Sequence, residues 1–202
     1  SRTYFRIKVS VSKNGIDFSA LSQNRFDDLD TATAKLREVK DGGMLAVTSV
    51  ERREAVQEPP LLYDLTALQK EANSKLDFSA DKTLTLAQSL YEKKVLSYPR
   101  TGSRYISEDV FDEIPSRIML LRQYPRFTAT ASVLPDAPLN RRPVDDAKVT
   151  DHHALLITEN LPEGLSQDEQ AIYEMVAARL LEAFLPCCVK EMTEVALSAG
   201  GE

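Results

Sequence analysis

Apolar and polar residues alternate with period two along Thr3-Tyr4-Phe5-Arg6-Ile7-Lys8-Val9-Ser10-Val11, the pattern of a strand with one buried face. Lys13-Asn14-Gly15 predicts a turn, Ile16 to Ala20 a second strand, Thr31 to Val39 a short helix, and Met44 to Arg52 a further strand. Pro59-Pro60 closes this β-rich block. From Leu61 the apolar period becomes helical. Thr66-Ala67-Leu68-Gln69 has the form of a capping box and predicts a helix running to about Lys75. Ser79 is placed to cap a second helix, with Asp81 near its positive end. Leu84, Ala87 and Leu90 give that helix an apolar stripe that runs out near Lys94. A third helix is expected after Ser107 and past Ile114, with Pro115 breaking or kinking it before Arg117 to Arg122. Pro125 to Pro143 reads as irregular. Ser166-Gln167-Asp168-Glu169 is a second capping box, and Ile172, Met175, Val176, Leu180, Ala183 and Phe184 keep helical spacing until Pro186. Glu194 to Ala199 reads as extended again.

This order of elements predicts an α+β chain, mostly β up to about residue 58, helical from Leu61 and extended again near its end. Helix, short turn, longer helix and a short extended segment resemble a helix-turn-helix or winged-helix unit, which often lies against DNA. The chain starts without an initiator methionine, almost directly in a strand, and ends shortly after another. It reads as a segment taken from the middle of a longer protein.

Composition narrows the function classes. With 202 residues, of which 43% are hydrophobic, the chain can bury a sizeable core. No stretch approaches the ~18 apolar residues needed to span a bilayer, so no membrane role is expected. Cys187 and Cys188 are adjacent, which suits neither an ordinary disulfide nor a zinc site, and reads as free thiols in a reducing cytoplasm. The two histidines, His152 and His153, are also adjacent, and no metal site is assigned. A net charge of -6 argues against an overall polyanion-binding surface. Charge is unevenly placed, however. Lys93, Lys94, Arg100 and Arg104 lie in a stretch with no acidic residue, and Arg117, Arg122, Arg126, Arg141, Arg142 and Lys148 follow against Asp136, Asp145 and Asp146. A local basic surface around Tyr98 is one reading, and scattered solvated charge is the other.

Leu96-Ser97-Tyr98-Pro99-Arg100-Thr101-Gly102-Ser103-Arg104 carries the candidate chemistry. It presents a tyrosine hydroxyl between a helix end and a proline-stiffened loop with two arginines. A tyrosine attacks phosphorus poorly at its ordinary pKa of about 10, so it needs a fixed position and nearby cations to stabilise charge developing on phosphate. Pro99 fixes one φ angle and biases Tyr98 toward an extended conformation. Most tyrosines in folded domains are core or rim residues, and this chain has seven.

Four segments then carry a resemblance: Leu65-Thr66-Ala67-Leu68-Gln69-Lys70-Glu71-Ala72-Asn73, Ala87-Gln88-Ser89-Leu90-Tyr91-Glu92, Ser97-Tyr98-Pro99-Arg100-Thr101, and Asp146-Ala147-Lys148-Val149-Thr150-Asp151-His152-His153-Ala154. In order and spacing they resemble the type IA DNA topoisomerases. Proline after the tyrosine and the paired histidines look more like the topoisomerase III branch than the topoisomerase I branch. The resemblance implies that Tyr98 attacks a backbone phosphate of single-stranded DNA, becoming linked to the 5′ end and releasing a 3′ hydroxyl, in a reversible transesterification. Arg100 then stabilises the phosphate and positions the tyrosine. His152 contacts DNA phosphate or supports the active arrangement, and His153 stands where topoisomerase III sequences also tend to have histidine. Gln88 and Glu92, four residues apart on one helix face, line the DNA-binding surface. Ser97 bonds a phosphate oxygen, and Arg104 adds a DNA-binding cation. Gly102 departs from the aspartate of many relatives, and Ile157 from a common proline.

By the same resemblance, residues 1–58 together with a return strand in 189–202 form a β-rich gate or hinge domain, with the mainly helical, tyrosine-bearing domain 59–188 inserted between them. The acidic module that binds Mg²⁺ and a lysine near the attacking site lie outside this chain, toward the N-terminus of the full protein, so the fragment alone should be inactive. The implied partner is single-stranded DNA and the implied setting is the cytoplasm, associated with the nucleoid. The sequence singles out no helicase or single-strand-binding protein partner. Two rival readings are a non-catalytic winged-helix module that binds single-stranded DNA and, on the negative net charge, an interaction domain with no nucleic-acid role.

Overall fold

The structure, a computed structural model, describes residues 3–133 and 138–199; Asp136 lies outside the described residues. The chain divides into two compact units, one made of the residues up to Ala55 with those from Lys190 onward, the other of Val56–Val189.

In the first unit, β1 (Lys8–Lys13) and β2 (Ile16–Leu21) form an antiparallel hairpin closed by the pair Lys13 and Ile16. Asn14 and Gly15 both take positive φ, 53° and 78°, the requirement of the two-residue turn whose twist matches the strands. The ladder begins at Lys8 rather than at Thr3, because the Ile7 N–H donates to the Ser22 hydroxyl at 3.0 Å instead of continuing the regular pattern. Phe5 pairs with Phe26 in an isolated bridge. Helix α1 (Leu29–Gly42) exceeds the expected Thr31 to Val39 at both ends. The Asp28 carboxylate accepts from the Thr31 N–H at 2.7 Å and caps its start, and Gly43, at φ 66°, ends it. Strand β3 (Leu45–Gln57) pairs with β4 (Cys188–Ala199) in a second two-stranded sheet; both are longer than their sequence patterns indicate.

The second unit is helical around one core. Helices α2 (Leu65–Leu76), α3 (Ala80–Glu92), α4 (Glu108–Leu121), α5 (Thr128–Val133) and α6 (Gln167–Phe184) surround fully buried Leu62, Leu68, Leu90, Leu96, Ile114 and Phe184. Helix α3 packs on both α2 and α6, and α4 packs on α5 and α6. Between the helices, Ala154, Leu155, Leu156 and Ile157 are all buried. This stretch bridges to Tyr63 on one side and Leu96 on the other.

Three local expectations are corrected here and two hold. The capping box at Thr66 does not form; Asp64 caps α2, its carboxylate accepting from the Ala67 N–H at 2.6 Å. A charged acceptor at the positive helix end is a stronger cap than the threonine two residues on. Ser79 caps α3 as expected, accepting from the Lys82 N–H at 3.1 Å. Pro115 does not break α4, which is continuous across it. Pro115 is itself exposed, while Ile114, Ile118 and Leu121 bury the opposite face and hold the helix across the missing donor. Within the stretch expected to be irregular, α5 forms a short helix seated by buried Phe127 and Ala131. Helix α6 has the reciprocal Ser166 and Glu169 capping box that its sequence predicts. Cys187 and Cys188 are exposed free thiols, and no helix among the described residues is long and apolar enough to cross a membrane.

Candidate active site

The chain leaves α3 through Lys93 and then Lys94, whose φ of 61° is costly for a residue with a side chain and reverses the chain direction. The strained residue is held by its own carbonyl, which accepts from the Thr158 hydroxyl at 2.6 Å and the Asn160 amide at 2.9 Å. Val95 and Leu96 then bury into the core. Ser97 is fixed twice by Leu156: its N–H donates to the Leu156 carbonyl at 2.9 Å, and its hydroxyl accepts from the Leu156 N–H at 3.0 Å. Tyr98 therefore follows a segment whose backbone is tied at Lys94, Val95 and Ser97.

The far side of the loop is tied as firmly. Thr101 is 5% exposed; its hydroxyl donates to the His152 carbonyl at 3.0 Å and accepts from the Ser103 N–H at 3.1 Å, while its carbonyl accepts from the Leu65 N–H at 3.1 Å. The Ser103 hydroxyl donates to the Lys148 carbonyl at 2.8 Å, and the Ala154 N–H donates to the Tyr105 carbonyl at 2.9 Å. The segment from Ser97 to Tyr105 is thus fastened to the start of α2 and to residues 148–156, so it presents its side chains from a rigid frame.

On this frame Tyr98 is half-buried. Its ring lies 4.7 Å from the His152 ring, centroid to centroid, at an interplanar angle of 49°, and 5.4 Å from the Tyr91 ring at 76°. Among the described residues the Tyr98 hydroxyl and the Arg100 guanidinium make no hydrogen bond or ion pair, and Arg100 is exposed. A free phenol hydroxyl and a free guanidinium two residues apart on a fixed loop can meet one phosphate together.

The other sequence candidates divide. His152 meets Tyr98 directly. Gln88 and Glu92 share a face of α3, the Gln88 amide donating to the Glu92 carboxylate at 3.1 Å, with Tyr91 beside them on the same helix. Ser97 accepts from backbone, leaving its own O–H to donate elsewhere. His153 faces the backbone, its Nδ1 donating to the Ala154 carbonyl at 2.7 Å, which leaves Nε2 as the other ring atom available. Arg104 is half-buried, with Nε donating to the Leu62 carbonyl at 3.0 Å.

The basic stretches largely neutralise themselves. Lys93 pairs with Glu169, Arg117 with Glu113, Arg126 with Glu174, Arg141 with Glu108, Arg142 with Glu58 and Lys148 with Asp145. Lys94 and Arg100 have no acidic partner among the described residues. Glu169 is the most elaborate of the acidic partners. Its carboxylate accepts from Lys93 Nζ at 2.7 Å, the Ser89 hydroxyl at 2.7 Å and the Ser166 N–H at 2.8 Å, and these donors hold its pKa down at about 2. Sequence reasoning missed Tyr91, Thr101 and Glu169 as parts of this frame. Tyr91 was legible from its spacing of three from Gln88; Glu169 was read only as half of a capping box; Thr101 carried no separate signal. Among the described residues no group of three or more His, Cys, Asp or Glu side chains could hold a metal ion.

Comparison with known proteins places the chain in a family. A family model described as DNA topoisomerase matches residues 1–202. The chain is 36% identical over 211 residues to DNA topoisomerase 3 of Shouchella clausii, covering 100% of this chain and 28% of that protein. It is 38% identical over 161 residues to DNA topoisomerase 3 of Bacillus cereus, covering 77% of this chain and 22% of the relative. Its fold is similar to part of the full-length topoisomerase I of Thermotoga maritima, with a TM-score of 0.67 and 22% identity, covering 98% of this chain and 32% of that one. The chain therefore spans about a quarter of the length of the curated relatives it matches. Similar along its whole length to DNA topoisomerase 3 proteins and matching the fold of a type IA enzyme, this chain belongs to the type IA DNA topoisomerase family.

Proposed function

We propose that this chain is the tyrosine-bearing part of a topoisomerase III-like enzyme that cuts and rejoins single-stranded DNA through Tyr98. The observation that carries the reading is the arrangement around Tyr98: a hydroxyl with no partner among the described residues, on a fastened loop, its ring against His152, with an exposed Arg100, likewise unpaired among the described residues, two positions on. In the cleavage step the Tyr98 oxygen bonds to a backbone phosphorus as the P–O3′ bond breaks. Tyr98 gives up its phenol proton as its oxygen bonds to phosphorus and the departing 3′ oxygen takes up one proton, so the step is neutral in protons and the 5′ phosphate stays on the tyrosine. Arg100 stabilises the negative charge spreading over the phosphate oxygens, and the fixed loop removes the entropic cost of aiming the phenol. Rejoining is the reverse, so the phosphodiester bond energy is conserved and no nucleotide cofactor is consumed.

In this reading α2, α3 and the Tyr98 segment form a winged-helix-like DNA-facing unit, and the unit containing β1 to β3 acts as the gate or hinge for strand passage, relaxing or decatenating DNA. Gln88, Glu92, Ser97 and His152 line the path of the strand; His153 and Arg104, each bonded to backbone, support it from behind. The family's Mg²⁺ is held by residues beyond this chain, and no step above is routed through it. On its own the chain is expected to bind single-stranded DNA weakly and to cleave nothing.

Tyr98→Phe in the intact enzyme tests the reading. It abolishes relaxation of negatively supercoiled plasmid while single-stranded DNA retention stays within about twofold, because the aromatic ring and its packing remain and only the hydroxyl is lost. Unchanged relaxation would leave only a non-catalytic DNA-binding module.

A further inference from the structure

Tyr91 lies in the same aromatic group as Tyr98, yet neither the core nor the chemistry accounts for its position. It is 40% exposed, whereas Tyr63 and Tyr173 of the same unit are buried, the Tyr124 hydroxyl donates to Glu174, and Tyr105 lies under Lys148. Among the described residues the Tyr91 hydroxyl has no partner. The Tyr91 and Tyr98 rings meet at 76°, an edge-on contact, so at least one π face of Tyr91 is left uncovered by Tyr98. Tyr91 also stands between Gln88 and Glu92 on the helix face next to Tyr98, and the neighbouring Lys94 has no acidic partner among the described residues.

We propose that the exposed ring of Tyr91 is a stacking platform for an unpaired nucleobase of the strand whose phosphate Tyr98 attacks. The proposal rests on the nucleophile assigned to Tyr98 above. Any base offers a π face, so the platform holds the strand without selecting its sequence. The Tyr91 and Tyr98 ring centroids are 5.4 Å apart, so a base stacked on Tyr91 belongs to the strand close to the phosphate that Tyr98 attacks. Stacking there fixes the strand before the chemical step, through a group that takes no part in the transfer itself.

The test uses the intact enzyme in a Tyr98→Phe background, which separates binding from cleavage, and single-stranded oligonucleotides with one abasic position moved along the strand. One abasic position near the cleavage point should weaken binding about tenfold, and Tyr91→Leu should weaken binding of the unmodified strand by a similar factor. In Tyr91→Leu the same abasic position should then have no further effect, and Tyr91→Phe should bind like the parent. An abasic penalty that persists in Tyr91→Leu, Tyr91→Leu that binds as tightly as the parent, or Tyr91→Phe that is as weak as Tyr91→Leu overturns the platform. Covalent adduct formation, measured with Tyr98 restored, distinguishes the two levels. An enzyme that forms the adduct without the base-dependent loss fails only the platform, and one that forms no adduct fails the underlying assignment.

Discussion

The Thr101 hydroxyl donates to the His152 carbonyl at 3.0 Å, so the loop that carries Tyr98 and the segment that carries both histidines are one mechanical piece. The same hydroxyl accepts from the Ser103 N–H in a site only 5% exposed. Thr101→Val keeps the shape but leaves that N–H and the His152 carbonyl without their partner. The expected loss is about 1–3 kcal/mol. Thermal denaturation should show a fall of roughly 2–4 °C per kcal/mol, with Thr101→Ser close to the parent.

Arg100 is exposed, has no side-chain partner among the described residues and lies two residues from Tyr98, so under the proposed chemistry its removal should affect cleavage more than folding. Arg100→Ala is expected to slow adduct formation about 10²- to 10³-fold in single-turnover cleavage of an oligonucleotide. Arg100→Lys should recover part of the rate, since it keeps the charge without the planar fork. Melting temperature should be unchanged in both.

Acid should loosen the frame through Glu169. Lys93 first, then Ser89 and the Ser166 N–H, lower its pKa from the ordinary 4.5 to about 2. The folded-state value is depressed, so the contribution is full above about 4.5 and is lost as pH falls from there toward about 2. With Lys93 39% exposed and therefore screened, the effect is on the order of 2 kcal/mol at neutral pH. Urea denaturation of Glu169→Gln should give lower stability near neutrality than the parent and a flatter decline over the acid window; a decline as steep as the parent's would assign the acid sensitivity to other groups.

Pro115 is exposed inside an otherwise regular helix, where it removes one backbone donor. Pro115→Ala restores that donor and should raise stability by about 1–2 kcal/mol, part of the ~3 kcal/mol interior cost being offset by the stiffer unfolded chain. Calorimetry would register this as a melting temperature higher by a few degrees.

Signals confined to a few neighbouring residues were legible in the sequence. The Asn14-Gly15 turn, the Ser79 cap and the reciprocal Ser166 and Glu169 box each form, because the donors and acceptors involved lie within three residues of each other. Competition between local signals was not legible: Asp64 displaces Thr66 as the cap of α2, and burial of Ile114, Ile118 and Leu121 overrides Pro115. The frame of the site was the least legible part. Bonds such as Thr101 to His152 and Lys93 to Glu169 join residues 51 and 76 positions apart, and nothing in the order of residues announces them. Of the basic run around Tyr98 only Lys93 has an acidic partner among the described residues, and that partner, Glu169, comes from a distant helix, so charge counting along the chain could not tell which cations stay unpaired.

The central claim is that Tyr98 is the covalent attachment point. Incubating the intact enzyme with a single-stranded oligonucleotide, trapping with denaturant, digesting with protease and sequencing the DNA-linked peptide by mass spectrometry reads this out directly. The account predicts a peptide spanning Ser97-Tyr98-Pro99, modified on Tyr98 through a 5′ phosphate, and no adduct from Tyr98→Phe. An adduct on another residue, attachment through a 3′ phosphate, or an undiminished adduct in Tyr98→Phe would contradict it.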